Sequence, residues 1–557
     1  MRATAAIDRR VGWLFVGFLA LLAIALLRAT QLGTLDASTL QKAAATQQVV
    51  TVRTPPPRGM ITDRNGVELA ISESADDVIA DPFLILKQNP QRIAQELSPL
   101  LQVPVLTLLG KLTKPRSGWS PLAYRIPTEV GNEISKMNIN GITMTPDIKR
   151  VYPRPWSASQ VIGWTAPWDG HGESGLEYLY NNVLSGTTGV RKVVDDAIGQ
   201  PISIDNVRPT VPGKTLALTV DAQLQQEVEQ VLAGVGAQYQ PKDATAIVMN
   251  PHTGAILALA NWPRVNANDP NGAPYWAQED RATGFTYEPG STFKAITVAG
   301  ALSDGLVTPN TVFDVPPVLQ VADRQIHDAE AHGYENLSVA SILRVSSNIG
   351  ADLIGAKLGA DRFDYWVRRF GFGSPTGVDL PGEAAGYILH TWQYSGSSMG
   401  NLPFGQGESV TPMQLITAYS AIANGGILRS PHIVQAIGGK SVKYSPGHRI
   451  ISTTTAAELR QMLRGVYGEG GTASGAAIHG YDMAGKTGTA NVVVNGHYSS
   501  TEYVASFVGM VPATNPQLIG LVVVDEPQGS IYGGSVAAPA FQKIAAWAVP
   551  YFGISPK

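Results

Sequence analysis

The stretch PGSTFKAITVAGAL, at residues 289–302, joins a reactive pair of side chains to the start of a helix. Ser291 and Lys294 lie three positions apart, and the apolar residues 295–302 follow them. The proline and glycine before Ser291 are typical of a helix start, so the spacing predicts a helix whose first turn begins there. Residues three apart share a helix face, and the helix N-terminus stabilises developing negative charge. The stretch predicts a serine nucleophile beside a lysine, with a solvated surface pair as the alternative for this motif alone.

Two further short motifs favour the nucleophile. Ser346-Ser347-Asn348 begins 55 residues after Ser291 and supplies a second hydroxyl and an amide that can hydrogen-bond a peptide substrate. Lys486-Thr487-Gly488-Thr489 follows 138 residues after Asn348, and Gly488 allows a substrate backbone to approach closely. Each motif is weak alone, but Ser-x-x-Lys, Ser-x-Asn and Lys-Thr-Gly in this order and at this spacing are a strong combined signal.

A nucleotide-binding interpretation competes for the same lysine. Gly480, Gly485, Lys486 and Thr487 satisfy the Walker A pattern, and the apolar residues 521–524 imitate Walker B. A phosphate loop requires a helix directly after its lysine and threonine, whereas a glycine, a valine run and an Asn-Gly turn follow here. These residues predict an edge strand and a hairpin, so we reject an NTPase.

Two other local patterns carry no chemistry. Residues 396–400 match the Gly-x-Ser-x-Gly nucleophile elbow, but no buried strand precedes them and no helix follows, so they predict a loop. His327 and His332 lie five residues apart and cannot share a helix face as the histidines of a zinc site do. We therefore predict no metal site and no cofactor.

Composition excludes several other classes of function. The 557 residues include no cysteine, and 41 basic residues stand against 44 acidic ones, for a net charge of −3. A nucleic-acid-binding protein would carry a basic surplus, so no nucleic acid is expected as a partner. Without cysteine, disulfides, thiol nucleophiles and cysteine-bound metals are excluded as well.

An apolar run near the N-terminus predicts a membrane anchor. Residues 11–27 contain no charged or strongly polar side chain, and their length is at the short end of the ~17–25 residues that span a bilayer. Arg2, Arg9 and Arg10 precede the run, which places the N-terminus in the cytoplasm and everything after Arg28 outside. A cleaved signal peptide is the alternative, but Arg28 stands where a cleavage site would require small residues. No later stretch is long enough to return, so we expect a single-pass protein.

The rest of the chain divides into two regions. Asn65-Gly66 predicts a tight hairpin, and apolar residues at helical spacing predict helices at 92–103 and 106–112. From Gly213 onward, a strand, a helix capped by Asp221 and an apolar hairpin predict the opening of a sheet packed under helices. These elements are a strand at 215–220, a helix at 222–235 and strands at 244–249 and 255–260. The predicted domains are a cytoplasmic segment at 1–10, an anchor at 11–28, a mixed pedestal at 29–212 and a catalytic domain at 213–557.

With these motifs placed, the chain resembles the class B penicillin-binding proteins, the membrane-anchored transpeptidases that cross-link peptidoglycan. Further landmarks of that family are matched along nearly the whole chain by Arg58-Gly59, Asp63-Arg64-Asn65-Gly66, Gly175-Leu176-Glu177, Gly186-Thr187-Thr188-Gly189, Gly405-Gln406-Gly407, Thr411-Pro412, Ala423-Asn424-Gly425-Gly426 and Tyr532-Gly533-Gly534. The resemblance implies an α+β fold with one transmembrane helix, a pedestal of the dimerisation type and a transpeptidase domain. In that domain an antiparallel sheet is flanked by helices and carries a helical subdomain, and no glycosyltransferase module is implied.

The resemblance also implies the chemistry. Ser291 would attack the carbonyl between the two terminal D-alanines of a stem peptide, release D-alanine and pass the acyl group to an amine of a neighbouring stem. β-Lactam antibiotics would acylate the same serine. Lys294 is the candidate base, because no motif places a histidine there. Its pKa must then fall by about three units from ~10.4, which burial or a neighbouring cation such as Lys486 would cause.

The other roles are implied by the resemblance as well. Ser346 would relay a proton to the leaving group, and Asn348 would hold the substrate backbone. The hydroxyls of Thr487 and Thr489 would bind the terminal carboxylate. The backbone amides of Ser291 and Thr489 would form an oxyanion hole.

The expected setting is the bacterial cell membrane, with the catalytic domain on its outer side. The implied partners are a polytopic glycan polymerase and proteins of a cell-division or elongation complex, and residues 58–70 favour the septal type. Two alternatives stay open, namely a β-lactamase or β-lactam sensor of the same fold, and a catalytically idle scaffold for cell-wall synthases. A lactamase must deacylate, yet no Glu-x-x-Leu-Asn motif follows Ser-x-Asn, and a scaffold would not need all three motifs.

Overall fold

The computed structural model describes residues 2–35, 49–195 and 201–556. These residues form two compact units, and the chain passes between them five times. The small unit takes its residues from 1–57, 74–148 and 186–212, and the large unit takes its residues from 58–73, 149–185 and 213–557. All eight candidate site residues belong to the large unit.

The first described element is a long apolar helix. It spans Arg2–Thr30 and continues as a π-helical turn at Gln31–Leu35. Among the described residues, 11–34 is the one helical stretch long and apolar enough to cross a membrane. At 1.5 Å per residue it measures about 36 Å, against a hydrocarbon core of about 30 Å. The predicted anchor at 11–28 lies inside this helix, which is longer at both ends.

The small unit combines two sheets with short helices. One sheet is antiparallel, in the order Val49–Thr54, Gly189–Asp195 and Pro201–Arg208. In the other, strand Glu68–Ala80 pairs from residue 75 onward with Ser120–Pro127, and Ile142–Val151 pairs with the same strand. The helices are Pro82–Ile85, Pro90–Leu101, Val105–Leu112 and Thr128–Lys136, and their buried residues form one core with the second sheet. The helices predicted at 92–103 and 106–112 are confirmed.

The hairpin predicted at Asn65-Gly66 is present in the large unit. Strands Ile61–Thr62 and Glu68–Ala80 pair antiparallel, and Gly66 has a φ of 88°, where glycine is favoured. The buried carboxylate of Asp63 accepts hydrogen bonds from the backbone amides two and four residues later, at 2.7 and 2.8 Å. One aspartate therefore fixes the turn.

One predicted strand joins a different sheet from the one expected. Strand Leu216–Leu218 pairs parallel with Ile61–Thr62 and antiparallel with Val434–Ile437. The prediction that the strand at 215–220 opens the catalytic sheet is therefore wrong. Alternating hydrophobicity identifies the face that a strand buries, but it does not identify the strand that it pairs with.

The catalytic sheet has five antiparallel strands, in the order Ile256–Trp262, Asp243–Met249, Leu518–Asp525, His497–Val511 and Ala484–Val494. Helices Ala222–Tyr239 and Ala537–Tyr551 pack on one face. Helices Lys294–Ser303, Pro412–Ala423 and Thr453–Arg464 pack on the other. The α+β class and the helix-flanked sheet are confirmed, and the Lys-Thr-Gly motif lies on the edge strand.

A helical subdomain completes the large unit. It contains helices Val339–Val345, Asn348–Leu358 and Ala360–Arg369. Two small antiparallel strand pairs precede it in the chain, formed by Val312–Val315 with Glu335–Ser338 and by Leu319–Val321 with Arg324–Ile326. The remaining short elements are helices Ser159–Ile162, Gly175–Leu179, Asn181–Leu184 and Arg281–Gly284 and strands Ile427–Leu428, Lys440–Ser441 and His448–Arg449. The Ser-x-Asn motif occupies the loop between the first two helices of the subdomain.

Two of the matched landmarks meet in a buried ion-pair cluster of the large unit. The carboxylate of Glu177 is fully buried and pairs with Arg58 at 2.5 Å and with Arg150 at 2.6 Å. The Arg58 guanidinium also donates to the side-chain oxygen of Asn181 at 2.8 Å. Removing one partner of such a pair leaves a buried charge, at a cost of about 3–5 kcal/mol. Loss of any one of these side chains should therefore destabilise the large unit, and the cluster lies outside the catalytic motifs.

Candidate active site

The nucleophile candidate lies at the start of a buried helix. Ser291 belongs to a 3₁₀ turn at Gly290–Phe293, which leads directly into helix Lys294–Ser303. The predicted helix is confirmed, although its α-helical part begins three residues after Ser291. The backbone oxygen of Thr292 accepts a hydrogen bond at 2.5 Å from the buried hydroxyl of Tyr419. This bond ties the turn to helix Pro412–Ala423.

Lys294 is fully buried and faces the Ser-x-Asn loop. Its Nζ donates to the backbone oxygen of Ser346 at 2.5 Å, to Oδ1 of Asn348 at 2.7 Å and to Oγ of Ser346 at 3.2 Å. No hydrogen bond joins the ammonium to Ser291 among the described residues. The base role predicted for Lys294 toward Ser291 therefore stays a prediction, whereas its contact with the second motif is observed.

Lys486, from the Lys-Thr-Gly motif, contacts the same Ser346 hydroxyl. It lies on the edge strand Ala484–Val494 and is fully buried. Its Nζ donates to Oγ of Ser346 at 2.8 Å and to the backbone oxygen of Thr487 at 3.1 Å. The three sequence motifs, which are far apart in the chain, thus converge on the Ser346 hydroxyl.

The electrostatics of both lysines favour the neutral amine. Burial lowers the pKa of Lys294 to about 7, even though the carboxyl groups of Asp328 and Asp352 act to raise it. Burial, and then the charge of Lys294, lowers the pKa of Lys486 well below its ordinary value. The fall in pKa that a base at Lys294 requires is present, and burial causes it without help from Lys486.

The Ser-x-Asn loop is held in an uncommon backbone conformation. Ser346 ends helix Val339–Val345 with a φ of 64°, in the left-handed region that side chains other than glycine rarely adopt. Ser347 then caps the next helix, because its Oγ accepts a hydrogen bond from the amide of Gly350 at 2.8 Å. Together these two residues turn the chain so that the side chains of Ser346 and Asn348 both reach Lys294.

Asp328 supports this loop and was not identified from the sequence. Its carboxylate accepts hydrogen bonds from the backbone amides of Asn348 and Ile349, the latter at 3.0 Å, and from Oγ of Ser347 at 2.6 Å. His332 contacts the same carboxylate at 3.0 Å. A lone aspartate twenty residues before its partners has no spacing pattern that would reveal such a role.

Asp352 is a second acidic residue that the sequence analysis missed. It is 1% exposed, and neither carboxyl oxygen has a hydrogen-bond partner among the described residues. Burial raises its pKa to about 8, against the opposing effect of the Lys294 charge. Asp352 follows Asn348 by four residues and so shares its helix face. An aspartate within the apolar run IGADLIG was the available sign of a buried carboxyl.

The edge strand packs closely against the serine turn. A side chain at Gly488 would lie 2.3 Å from Oγ of Ser506 and 3.0 Å from the backbone oxygen of Pro289, and one at Gly290 would lie 3.0 Å from the backbone oxygen of Thr489. Gly488 is therefore required for packing between the strand and the turn. Its predicted contact with a substrate stays a prediction.

The two threonine hydroxyls of the third motif have different neighbours. Oγ1 of Thr487 lies 2.8 Å from Oγ1 of Thr472, and Oγ1 of Thr489 accepts a hydrogen bond from the amide of Gly533 at 3.1 Å. Because Thr489 accepts in that bond, its own O–H group stays available as a donor. The Tyr-Gly-Gly landmark thus supports the edge strand.

The competing motifs do not form sites. Strand Ala484–Val494 runs through Lys486 and Thr487, where a phosphate loop would begin a helix, so the Walker A pattern is coincidental. The elbow-like residues 396–400 form a 3₁₀ turn at Ser398–Gly400 rather than a strand-to-helix turn. His332 pairs with Asp328, and the described residues contain no group of three His, Asp or Glu side chains that could hold a metal.

Comparisons with known proteins match both halves of the chain. A family model described as the penicillin binding protein transpeptidase domain matches residues 244–546, and one described as the penicillin-binding protein dimerisation domain matches residues 53–218. The chain is 34% identical to the stage V sporulation protein D of Bacillus subtilis, over 90% of this chain and 79% of that protein. It is 31% identical to the peptidoglycan D,D-transpeptidase FtsI of Escherichia coli, over 90% of this chain and 84% of that protein. Penicillin binding protein 3 of Mycobacterium tuberculosis, solved with aztreonam, aligns with a TM-score of 0.71 and 29% identity, over 91% of this chain and 98% of that one.

Proposed function

The chain belongs to the penicillin-binding protein transpeptidase family and is a peptidoglycan D,D-transpeptidase, and from this premise we propose that Ser291 is its nucleophile and Lys294 its general base. The observation that carries the proposal is the convergence of Lys294, which follows Ser291 by three residues, and Lys486 on the Ser346 hydroxyl. A serine hydroxyl is a weak nucleophile until a base takes its proton. A lysine with a pKa of about 7 is about half neutral at pH 7 and can accept that proton.

Acylation of Ser291 begins with a proton transfer. Neutral Nζ of Lys294 takes the proton of the Ser291 hydroxyl, and Oγ bonds to the carbonyl carbon of the penultimate D-alanine. The amides of Ser291 and Thr489 stabilise the oxyanion, a contribution of about 3–4 kcal/mol per donor. The C–N bond to the terminal D-alanine then breaks, and its nitrogen receives a proton from Lys294 through Ser346. An amine of a neighbouring stem peptide then attacks the acyl carbon and gives its N–H proton to Lys294. The C–O bond to Ser291 breaks, and Oγ of Ser291 recovers a proton from Lys294.

The remaining site residues bind the donor peptide. The amide of Asn348 holds the substrate backbone, while the hydroxyls of Thr487 and Thr489 bind the terminal carboxylate. Gly488 lets that carboxylate approach the edge strand. Lys486 donates a hydrogen bond to the Ser346 hydroxyl and so holds it beside Lys294.

Mass spectrometry after incubation with a fluorescent penicillin tests the nucleophile. We expect one stable adduct, located on the peptide that contains Ser291, and no adduct on the Ser291→Ala variant. Ser397→Ala, which alters a half-exposed serine in the loop at 396–400, is the matched control and should label normally. An adduct that persists on Ser291→Ala would refute the assignment. Rapid loss of the adduct with hydrolysis of the drug would indicate a lactamase, and absence of labelling on a folded protein would indicate a scaffold.

We also propose the arrangement of the chain in the cell. The helix at Arg2–Thr30 anchors the protein in the bacterial membrane, with residues 1–10 in the cytoplasm and the pedestal at 29–212 and transpeptidase domain at 213–557 on the outer side. A polytopic glycan polymerase and proteins of the division or elongation complex are the expected partners. Protease treatment of spheroplasts should remove the domains beyond the anchor, whereas full protection in intact spheroplasts would contradict this orientation.

A further inference from the structure

A cavity of about 630 Å³ in the large unit shares no residue with the candidate active site. Its walls are helix Val339–Val345, helix Thr453–Arg464 and the segment at Ala513 and Thr514, with Pro309 nearby. This volume is in the range of about 300–1,000 Å³ that small-molecule sites occupy. The cavity is therefore large enough for a ligand of the size of a nucleotide or a short peptide.

The charged residues of the cavity are mostly basic. Arg344, Arg460 and Arg464 line it, and Glu458 is the one acidic residue among its lining residues. Arg464 is neutralised, because its Nε pairs with Asp482 at 2.6 Å. The other two arginines carry the excess positive charge of the cavity.

Arg344 and Arg460 have no carboxylate partner among the described residues. Arg344 donates from Nη1 to the backbone oxygen of Glu469 at 2.8 Å. Arg460 donates to the backbone oxygens of Ile422 at 2.8 Å and Thr514 at 3.5 Å. Carbonyl oxygens orient a guanidinium group but do not cancel its charge, so neither arginine is neutralised by a direct ion pair, and together with Glu458 they leave the cavity wall with a net positive charge.

Burial makes this lack of a counter-ion costly. Arg460 is half-buried, its Nε is inaccessible and has no hydrogen-bond partner among the described residues, and burial lowers its pKa. A cation taken out of water without an anion is destabilised. An anion in the cavity would offset that cost, and the planar guanidinium group of Arg344 can bind an oxyanion through two parallel N–H groups.

We propose that this cavity binds a small ligand that carries carboxylate or phosphate groups. Arg344 and Arg460 bind the oxyanion, whereas Arg464 stays paired with Asp482. The apolar side chains of Ala340, Met462 and Ala513 contact the uncharged part of the ligand. This site is separate from the one that would bind the carboxylate of the donor peptide, and it does not depend on the nucleophile assigned above.

Isothermal titration calorimetry of the full chain in a nonionic detergent tests the proposal. Pyrophosphate and citrate are the probes, with sodium chloride at the same ionic strength as the reference. We expect saturable binding of at least one probe, and binding about tenfold or more weaker in the Arg344→Gln, Arg460→Gln double variant. Pyrophosphate binding alone identifies a phosphate ligand, citrate binding alone identifies a carboxylate ligand, and binding of neither probe beyond the chloride reference overturns the proposal.

A matched variant and a second measurement exclude trivial explanations. Arg449→Gln removes an exposed arginine that also donates only to backbone carbonyls but lies outside the cavity, and it should bind the probes normally. Equal binding by the double variant and the unaltered chain overturns the proposal. If the double variant does not fold, phenylglyoxal modification of the unaltered chain decides the question. Modification of Arg344, read by mass spectrometry, should slow when the probe is present, and an unchanged rate overturns the proposal.

Discussion

Lys294 and Lys486 both donate a hydrogen bond to the hydroxyl of Ser346, at 3.2 and 2.8 Å. Two buried ammonium groups on one oxygen repel each other, so burial and mutual repulsion both favour loss of a proton from the pair. The hydroxyl connects the two amines directly. Protonation of one lysine is therefore coupled to that of the other, and the pH dependence of acylation belongs to the pair as a unit.

Replacing Lys294 by arginine should inactivate the protein as thoroughly as replacing it by alanine. Arginine stays protonated in any protein environment and cannot accept the proton of Ser291. Loss of a general base costs about 10²–10⁴-fold in rate, and we expect this loss in the second-order rate constant of acylation by a fluorescent penicillin. Lys357→Arg, on the exposed end of helix Asn348–Leu358, is the control. A near-normal rate for Lys294→Arg would show that the positive charge alone matters there.

Acylation should accelerate as the pH rises through about 7. The pKa of Lys294 is lowered to about 7 in the folded chain, so the amine is protonated and inactive below that value and becomes a base above it. Stopped-flow acylation from pH 5.5 to 8.5 gives the profile. A rate that is flat across this range would exclude Lys294 as the group that titrates.

Asp352→Asn should leave the rate at pH 6 nearly unchanged and increase it above about pH 8. With a pKa of about 8, the Asp352 carboxyl is uncharged at pH 6; once ionised it raises the pKa of Lys294, so its removal favours the neutral amine only at the alkaline end of the profile. The variant should also differ from the unaltered chain in the pH dependence of its stability. The pKa of Asp352 is raised to about 8 in the folded chain, so its stabilising contribution is complete below the unfolded pKa and is lost as the pH rises through about 8.

The stability of the Asp352→Asn variant is therefore a second, independent measurement. Between pH 5 and 8 the midpoint of thermal unfolding should decline less steeply in the variant than in the unaltered chain. Asp361→Asn changes an exposed aspartate at the start of the next helix and should alter neither property. An unchanged rate profile in Asp352→Asn would show that this carboxyl does not act on Lys294.

Asp328→Ala should reduce the rate of acylation, although Asp328 itself is assigned no contact with the substrate. The carboxylate accepts bonds from the amides of Asn348 and Ile349 and from Ser347, so its loss frees the start of helix Asn348–Leu358. Losing such a cap costs about 0.5–2 kcal/mol, which differential scanning calorimetry can detect. Asp361→Ala is the matched control, because it removes an aspartate from a helix start where it caps nothing. Full acylation by Asp328→Ala would show that the loop is held by other contacts.

Removal of residues 1–28 should separate chemistry from localisation. The truncated chain should be soluble and react normally with β-lactams, because the apolar side chains of residues 11–27 are exposed and contribute nothing to the core. In cells the truncation should abolish function, since the proposed polymerase partner lies in the membrane. A folded truncated protein that no longer acylates would contradict the first expectation, and full rescue by a secreted form would contradict the second.

The sequence predicts what depends on neighbours in the chain. The Ser-x-x-Lys pair, the capping aspartate Asp221 and the Asn65-Gly66 turn are recognisable because their partners lie within four residues. Asp328, Asp352 and Arg58 acquire their roles from side chains that the fold brings together, and Arg58 is 119 residues from Glu177. Likewise, the alternation at 215–220 predicts a strand but not its parallel partner at Ile61–Thr62.

The repeated passage of the chain between its two units also sets an order of assembly during translation. Arg58, Arg150 and Glu177 all precede residue 213, so their ion-pair cluster can form while the catalytic segment is still being made. At about 5–20 residues per second, synthesis of that segment takes roughly 20–70 s. Strand Leu216–Leu218 is made at the start of that segment and can pair with Ile61–Thr62 early, but it lacks its other neighbour, Val434–Ile437, until much of the segment has been synthesised. A nascent chain that stalls in this interval exposes an unpaired strand edge, and it is the form of the protein most exposed to aggregation and to quality-control proteases.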